Sequence, residues 1–194
     1  MRFINRYANL FMNKANANIR FGNEKATAAQ VAKAAEVAQA MEFIEEKEEK
    51  FDSPIAQGGS NVSGGQKQRI AIAGAVAMRP DCIVFDEPTA MLDPKGRSQV
   101  MKVIRELNNQ GITIILITHF MEEVAEADRV LVVKSGKLLA DSVPEDVFAD
   151  TNLIESAGLE IPAAVLLRNE LIENGINLSH EVINKDDLVD ALCR

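Results

Sequence analysis

Between Asn61 and Asp93 the chain places a Ser63-Gly64-Gly65-Gln66 turn at the start of an apolar helix. Arg79-Pro80-Asp81 stops that helix, and a short strand, Cys82-Ile83-Val84-Phe85, follows and ends in the adjacent carboxylates Asp86 and Glu87. Serine and glutamine three residues apart form a capping box, which fixes where the helix begins; it should reach about Met78. Asp93-Pro94 supplies the N-cap and first position of a further helix, and Gly111 ends it. Thr113–Thr118, a run of β-branched residues and leucine, suits a strand covered on both faces, as in a parallel sheet. Helices alternating with buried strands restrict the chain to an α/β domain with a mainly parallel sheet.

The flanks are read from the same signals. Met1 to Phe21 has no clean period and is expected to be irregular, with at most a short helical piece. Thr27-Ala28-Ala29-Gln30 is a second capping box, and Val31, Ala34, Ala35, Ala38 and Met41 share a helical face, so one helix is expected to about Ile44. The charge run Glu45-Glu46-Lys47-Glu48-Glu49-Lys50 reads as its solvated end. Phe51–Asn61 is a Gly- and Ser-rich loop. A short helix Met121–Ala127, a strand Arg129–Val133, the turn Ser135-Gly136 and a strand Lys137–Asp141 close the sheet with a hairpin. Beyond Pro144 there are only short acidic helices: Pro144–Ala149, Pro162–Asn174 and Asp186–Leu192.

Charge separates the tail from the body. Residues 1–144 carry 18 Lys+Arg against 18 Asp+Glu, and residues 145–194 carry 3 against 11, which argues against a nucleic-acid surface. Cys82 and Cys193 form no disulfide framework, and a reducing cytosol is the expected setting. The longest apolar runs, such as Ile112–Thr118, are too short to span a bilayer, so any membrane role is expected to come through a partner.

A strand ending in Asp86-Glu87 puts two carboxylates at the carboxyl edge of a sheet, where α/β proteins bind ligands. The aspartate can hold Mg²⁺ and the glutamate can orient a water against a terminal phosphate, although a lone Asp-Glu pair is equally an acidic turn. Ser63–Gln66 offers backbone N–H groups at a helix N-terminus, a ready anion site that is by itself also just a cap. His119 follows a strand that would put it at the same edge if the strands are parallel neighbours; alone it is a structural histidine.

In combination, Ser-Gly-Gly-Gln-Lys-Gln-Arg, Asp-Glu-Pro-Thr, Leu-Asp-Pro and Thr-His resemble the ATP-binding subunits of ABC transporters. That resemblance implies a partial P-loop NTPase fold over residues 1–144, with a helical subdomain at about 23–80, and a helical extension over 145–194. It implies ATP and Mg²⁺ as ligands. Ser63, Gly64, Gly65 and Gln66 would bind nucleotide across a dimer interface, Asp86 would serve Mg²⁺, Glu87 would be the catalytic base or water-orienting group, Asp93 would communicate across the dimer, and His119 would contact the γ-phosphate. The implied partners are a second ATPase subunit and a transmembrane coupling or permease subunit, with the chain on the cytoplasmic face of the membrane. Leu10-Phe11, Asn18-Ile19-Arg20-Phe21-Gly22, Phe51-Asp52-Ser53-Pro54 and Gln57-Gly58-Gly59-Ser60-Asn61 look like exporter domains. Residues 82–194, with Gly136-Lys137 and Gly175-Ile176-Asn177-Leu178, look more like the ATPase of energy-coupling factor importers, whose similar tail helps two ATPases dimerise.

The departures from the family are specific. No Gly-x-x-x-x-Gly-Lys-[Ser/Thr] occurs in the 194 residues, so the loop that would cradle phosphates is absent. Arg6 stands where a glutamine is expected, and Tyr7 is out of place for stacking on adenine. The chain therefore reads as an ABC ATPase that begins after its phosphate-loop half and hydrolyses no ATP alone. Without a central strand and helix its exposed apolar neighbours could cost several kcal/mol against a stability of roughly 5–15, so marginal or partner-dependent folding is expected. A half-site partner in a heterodimer, an inactive truncated product and a soluble ABC-type ATPase are the other readings.

Overall fold

The two capping boxes and the strand after Asp81 nucleate the elements they encode. The structure is a computed structural model describing residues 1–5, 10 and 13–193, which fall into two compact units, Met1–Ile117 and Thr118–Arg194. The first contains β1 (Arg2–Asn5), β2 (Asn13–Lys14), α1 (Ala15–Arg20), α2 (Ala28–Val37), α3 (Met41–Glu45), β3 (Pro54–Ile55), α4 (Gly64–Val76), β4 (Cys82–Asp86), α5 (Pro94–Asn109) and β5 (Thr113–Ile117).

A parallel sheet of order β1-β4-β5 organises this unit. Ile83, Val84 and Phe85 of the central strand are buried on both faces. α4 is buried nearly all round, through Gly65, Gln68, Arg69, Ile70, Ile72, Ala73, Gly74 and Ala75, because α1, α2 and α5 all pack on it. α5 contributes a stripe, Val100, Val103, Ile104 and Leu107, at helical spacing. Asp93 caps it by accepting from the Gly96 N–H at 2.9 Å.

Three expectations change. The stretch expected to be irregular holds a strand, since Arg2–Asn5 lies in register with Ile83–Asp86, while the short helical piece allowed for there is α1. Four residues carry too little pattern to announce a strand; β4 supplies the pairing. The helix expected from Thr27 to Ile44 is two helices, α2 and α3, parted at Gln39, whose φ is +50°. The break is a tertiary effect, since Arg69 Nη1 donates to the Gln39 carbonyl at 2.8 Å and the Gln39 amide donates to Glu106 at 2.9 Å. β5 is not covered on both faces, since Ile115 and Ile117 are 46% and 48% exposed. Among the described residues β5 pairs only with β4. The expectations for Arg6, Tyr7 and Phe11 lie outside the described residues.

The second unit contains α6 (Met121–Val124), β6 (Val130–Lys134), β7 (Lys137–Ser142), α7 (Pro144–Ala149), α8 (Thr151–Ala157), α9 (Ala163–Glu173) and α10 (Lys185–Leu192). β6 and β7 form the expected hairpin, turning at Ser135 and Gly136, both with positive φ as a tight hairpin turn requires. α8, which the sequence reading passed over, is capped by Asp150 and closed by left-handed Gly158. Val132 shares a core with Val147, Phe148, Ile154, Val165 and Ile183, so the tail helices pack with the hairpin.

Arg168 staples this unit. It is buried, and its Nη1 donates to the carbonyls of His180, at 2.5 Å, and Val182, at 3.2 Å. Burial lowers its pKa from the ordinary arginine value. Arg168→Leu leaves two carbonyls unpaired and should destabilise the unit by about 2–3 kcal/mol. Faster tryptic cleavage at Lys185 than in the parent would report it.

Candidate functional site

Two helix N-termini meet at a cleft. α4 begins at Ser63, whose hydroxyl accepts from the Gln66 N–H at 3.2 Å while the Gln66 side chain accepts from the Ser63 N–H at 3.0 Å. This reciprocal cap sets Ser63, Gly64, Gly65 and Gln66 in one turn along the wall of a cavity of about 450 Å³. The start of α5 forms the opposite side through Met91, Leu92, Asp93, Lys95 and Gly96, with Gln99 beyond.

Glycine is what lets the two helices approach. A Cβ on Gly65 would stand 3.3 Å from the Cα of Gly96, backbone against backbone, and one on Gly64 would stand 2.9 Å from Leu92 Cδ2. The cleft is therefore floored by peptide groups at the positive ends of two helices, of 13 and 16 residues. Such ends favour an anion.

Ser63–Gln66 and Asp93 are thus brought together. The cleft also contains residues that the sequence reading did not assign to it: Glu42 in α3 and Glu46 just after it, Arg69, Lys95, Gly96 and Gln99. No local pattern announces Glu42 or Glu46, which reach the cleft because α2 and α3 bend at Gln39. Arg69 is 5% exposed, spans from the Gln39 carbonyl to the Phe43 ring, 5.0 Å from its centroid, and its pKa is lowered by burial against the opposing pull of Glu42. It anchors α3 on α4.

Asp86 and Glu87 do not line this cleft. They are half-buried at the carboxyl end of β4, and β4 runs parallel to β5 with Asp86 opposite Ile117. The Glu87 N–H donates to the Ile117 carbonyl at 2.8 Å. Glu87 adopts a φ of +48°, a left-handed conformation uncommon for a residue with a Cβ. His119 is exposed two residues beyond β5, in the second unit.

Among the described residues no group of three His, Cys, Asp or Glu side chains converges as a metal cluster. Mg²⁺ held with a nucleotide uses one or two protein carboxylates and completes its shell with phosphate and water oxygens. Asp86, at the end of a strand, is a donor of that kind. Among the described residues no helix is long and apolar enough to cross a membrane.

Comparison with known proteins gives a consistent picture. The sequence model described as "ABC transporter" matches residues 2–90. The "Energy-coupling factor transporter ATP-binding protein EcfA1" of Clostridium perfringens is 54% identical over 134 residues, covering 69% of this chain and 48% of the relative. The protein of the same name from Symbiobacterium thermophilum is 43% identical over 178 residues, covering 91% and 60%. The chain thus spans about half the length of the curated relatives it matches. Among solved structures, a bacterial Atm1-family ABC exporter with ATP bound superposes with a TM-score of 0.70 at 27% identity, over 81% of this chain and 28% of the other. The α/β fold with a parallel sheet is that of ABC ATPases.

Proposed function

We propose that this chain, which is similar to the ATP-binding subunits of ABC transporters, is an ATP-binding subunit of an importer of the energy-coupling factor kind. In this role it helps couple ATP hydrolysis to solute transport. The observation that carries the proposal is the glycine-floored cleft between the N-termini of α4 and α5, where Ser63, Gly64, Gly65, Gln66 and Asp93 meet. It suits the terminal phosphates of a nucleotide held by a second ATPase subunit.

The roles follow from position. Ser63, Gly64, Gly65 and Gln66 present a capped helix N-terminus to the partner's nucleotide, and Asp93, as the cap of α5, holds the facing wall. Asp86 would hold Mg²⁺, which when bound neutralises charge on the phosphates. Glu87 orients the attacking water and accepts its proton. His119 is assigned the γ-phosphate contact. The phosphate loop that completes such a site is not among these 194 residues, so the chain acts with a subunit or segment that bears one. A transmembrane subunit completes the assembly, with this chain on the cytoplasmic face of the membrane.

The test mixes the full chain with an ATPase subunit that carries a phosphate loop, with and without Mg-ATP. Nucleotide-dependent association in sedimentation velocity, together with ATP turnover that the chain alone does not show, is the expected result. Failure to associate in Mg-ATP, together with no nucleotide binding by either arrangement, would overturn the proposal.

A further inference from the structure

Gln68 lies on α4 just past the Ser63–Gln66 turn and is 2% exposed. Its side-chain amide nitrogen donates to the carbonyl of Pro88 at 2.8 Å and to the carbonyl of Asn5 at 3.2 Å. Two carbonyl acceptors fix which end of the amide carries nitrogen. The cost of this arrangement is visible at the other end, since Oε1 is buried with no partner among the described residues. A buried acceptor left unpaired calls for an explanation.

The explanation lies one residue before Pro88. Glu87 is in the left-handed region, which a residue with a Cβ keeps only when its surroundings over-determine it. On its N-terminal side, its own N–H is tied to Ile117 at 2.8 Å. On its C-terminal side, the next carbonyl is tied to Gln68. The Glu87 carbonyl accepts from the Ala90 N–H at 3.3 Å, so Glu87 opens a short turn, and Gln68 holds the peptide after Pro88 inside that turn. Without this tie the turn loosens from α4 and the Glu87 φ can return to the ordinary region. The tie to Asn5 sets the end of β1 against the same helix, so α4 is pinned to two strand ends at once.

We infer that Gln68 is a positioning residue: its amide clamps Glu87 in the left-handed conformation and holds it in fixed relation to the Ser63–Gln66 turn on the same helix. The inference deepens the proposed function, on which it rests for the catalytic role of Glu87. In that setting, one helix carries both the turn that meets a partner's nucleotide and the clamp that aims the chain's own carboxylate. A shift of α4 on nucleotide binding at Ser63–Gln66 is therefore passed by the Gln68 side chain to the turn that begins at Glu87.

The test reads backbone amide exchange in the full chain without nucleotide, so its outcome is independent of whether the chain serves ATP. Gln68→Met keeps the volume and removes both donors. Protection of the Glu87, Ala90 and Leu92 amides should fall about tenfold or more relative to those of Val31 and Ala38 in and next to α2. Introducing Glu87→Gly, which accepts positive φ without strain, should shrink that loss to about threefold or less, because the clamp then has little to hold. Equal loss at 87–92 and in α2, or no rescue by Glu87→Gly, would overturn the inference. Should Gln68→Met fail to fold, the parent protein decides: the Gln68 side-chain NH₂ should show through-hydrogen-bond couplings to the Pro88 and Asn5 carbonyl carbons. Exchange of that NH₂ at the rate of a free amide would reject the clamp.

Discussion

Gly64→Asp is expected to lower ATP turnover of the assembled complex by about 100-fold or more while leaving the chain as stable as its parent. The two halves of this result have separate causes. Gly64 is exposed at the first position of α4 and lines the cleft, so a carboxylate there faces the phosphates. Two like charges about 4 Å apart repel by about 4 kcal/mol at the effective dielectric of a protein surface, which is enough for that fold-change. In the free chain the same carboxylate sits at the positive end of a helix, where it stabilises by roughly 0.3–1 kcal/mol. The new Cβ meets Leu92 Cδ2 at 2.9 Å, a side chain that can turn away, and the Met91 carbonyl oxygen at an ordinary 3.7 Å. Urea unfolding of the chain alone and turnover of the complex check both halves; a variant that loses turnover only because it unfolds would refute the assignment of the cleft.

Gly22→Ala is expected to be the most destabilising single methyl in the first unit. After α1 the chain passes α4 so closely that a Cβ on Gly22 would lie 2.0 Å from the Gly74 carbonyl oxygen and 2.9 Å from its carbon. No rotamer relieves a clash with backbone, so the helices must separate. The cost should reach or exceed the upper end of the roughly 1–3 kcal/mol typical of overpacking, a large part of a usual stability of roughly 5–15 kcal/mol. The facing glycine gives the control. On Gly74 a Cβ would stand 3.4 Å from the Asn18 oxygen and 3.6 Å from that of Ile19, ordinary contact. Within a helix alanine gains about 0.8–1 kcal/mol over glycine. Gly74→Ala should therefore be neutral or stabilising, and equal losses from both variants in denaturant unfolding would show that the crossing is not as close as described.

The elements that proved legible are those with short-range instructions. Ser63-Gln66 and Thr27-Gln30 name their helix starts by side chains three residues apart, and both reciprocal caps form. Asp93-Pro94 and the apolar run into Asp86 are equally local. What stayed hidden depends on distant partners. Arg2–Asn5 becomes a strand because β4 offers it a register, and the helix after Thr27 breaks because Arg69, 30 residues away, holds the Gln39 carbonyl. In the cleft, Ser63–Gln66 and Asp93 were readable because each is also a cap, whereas Glu42 and Glu46 reach it only through that break. Gln68 was invisible for a different reason: a glutamine in a helix reads as surface, and only its two carbonyl partners distinguish it.

β5 carries a consequence for anyone purifying the chain. Its sequence, Thr113-Ile114-Ile115-Leu116-Ile117, has no charge and no proline, the devices by which natural sheets discourage edge-to-edge association. Among the described residues its outer edge is unpaired, and two of its isoleucines are nearly half exposed. A strand of this kind is a template for other molecules of the same chain, so aggregation at high protein concentration should start there. A lysine in place of Ile115 would act as a gatekeeper and keep concentrated stocks clear.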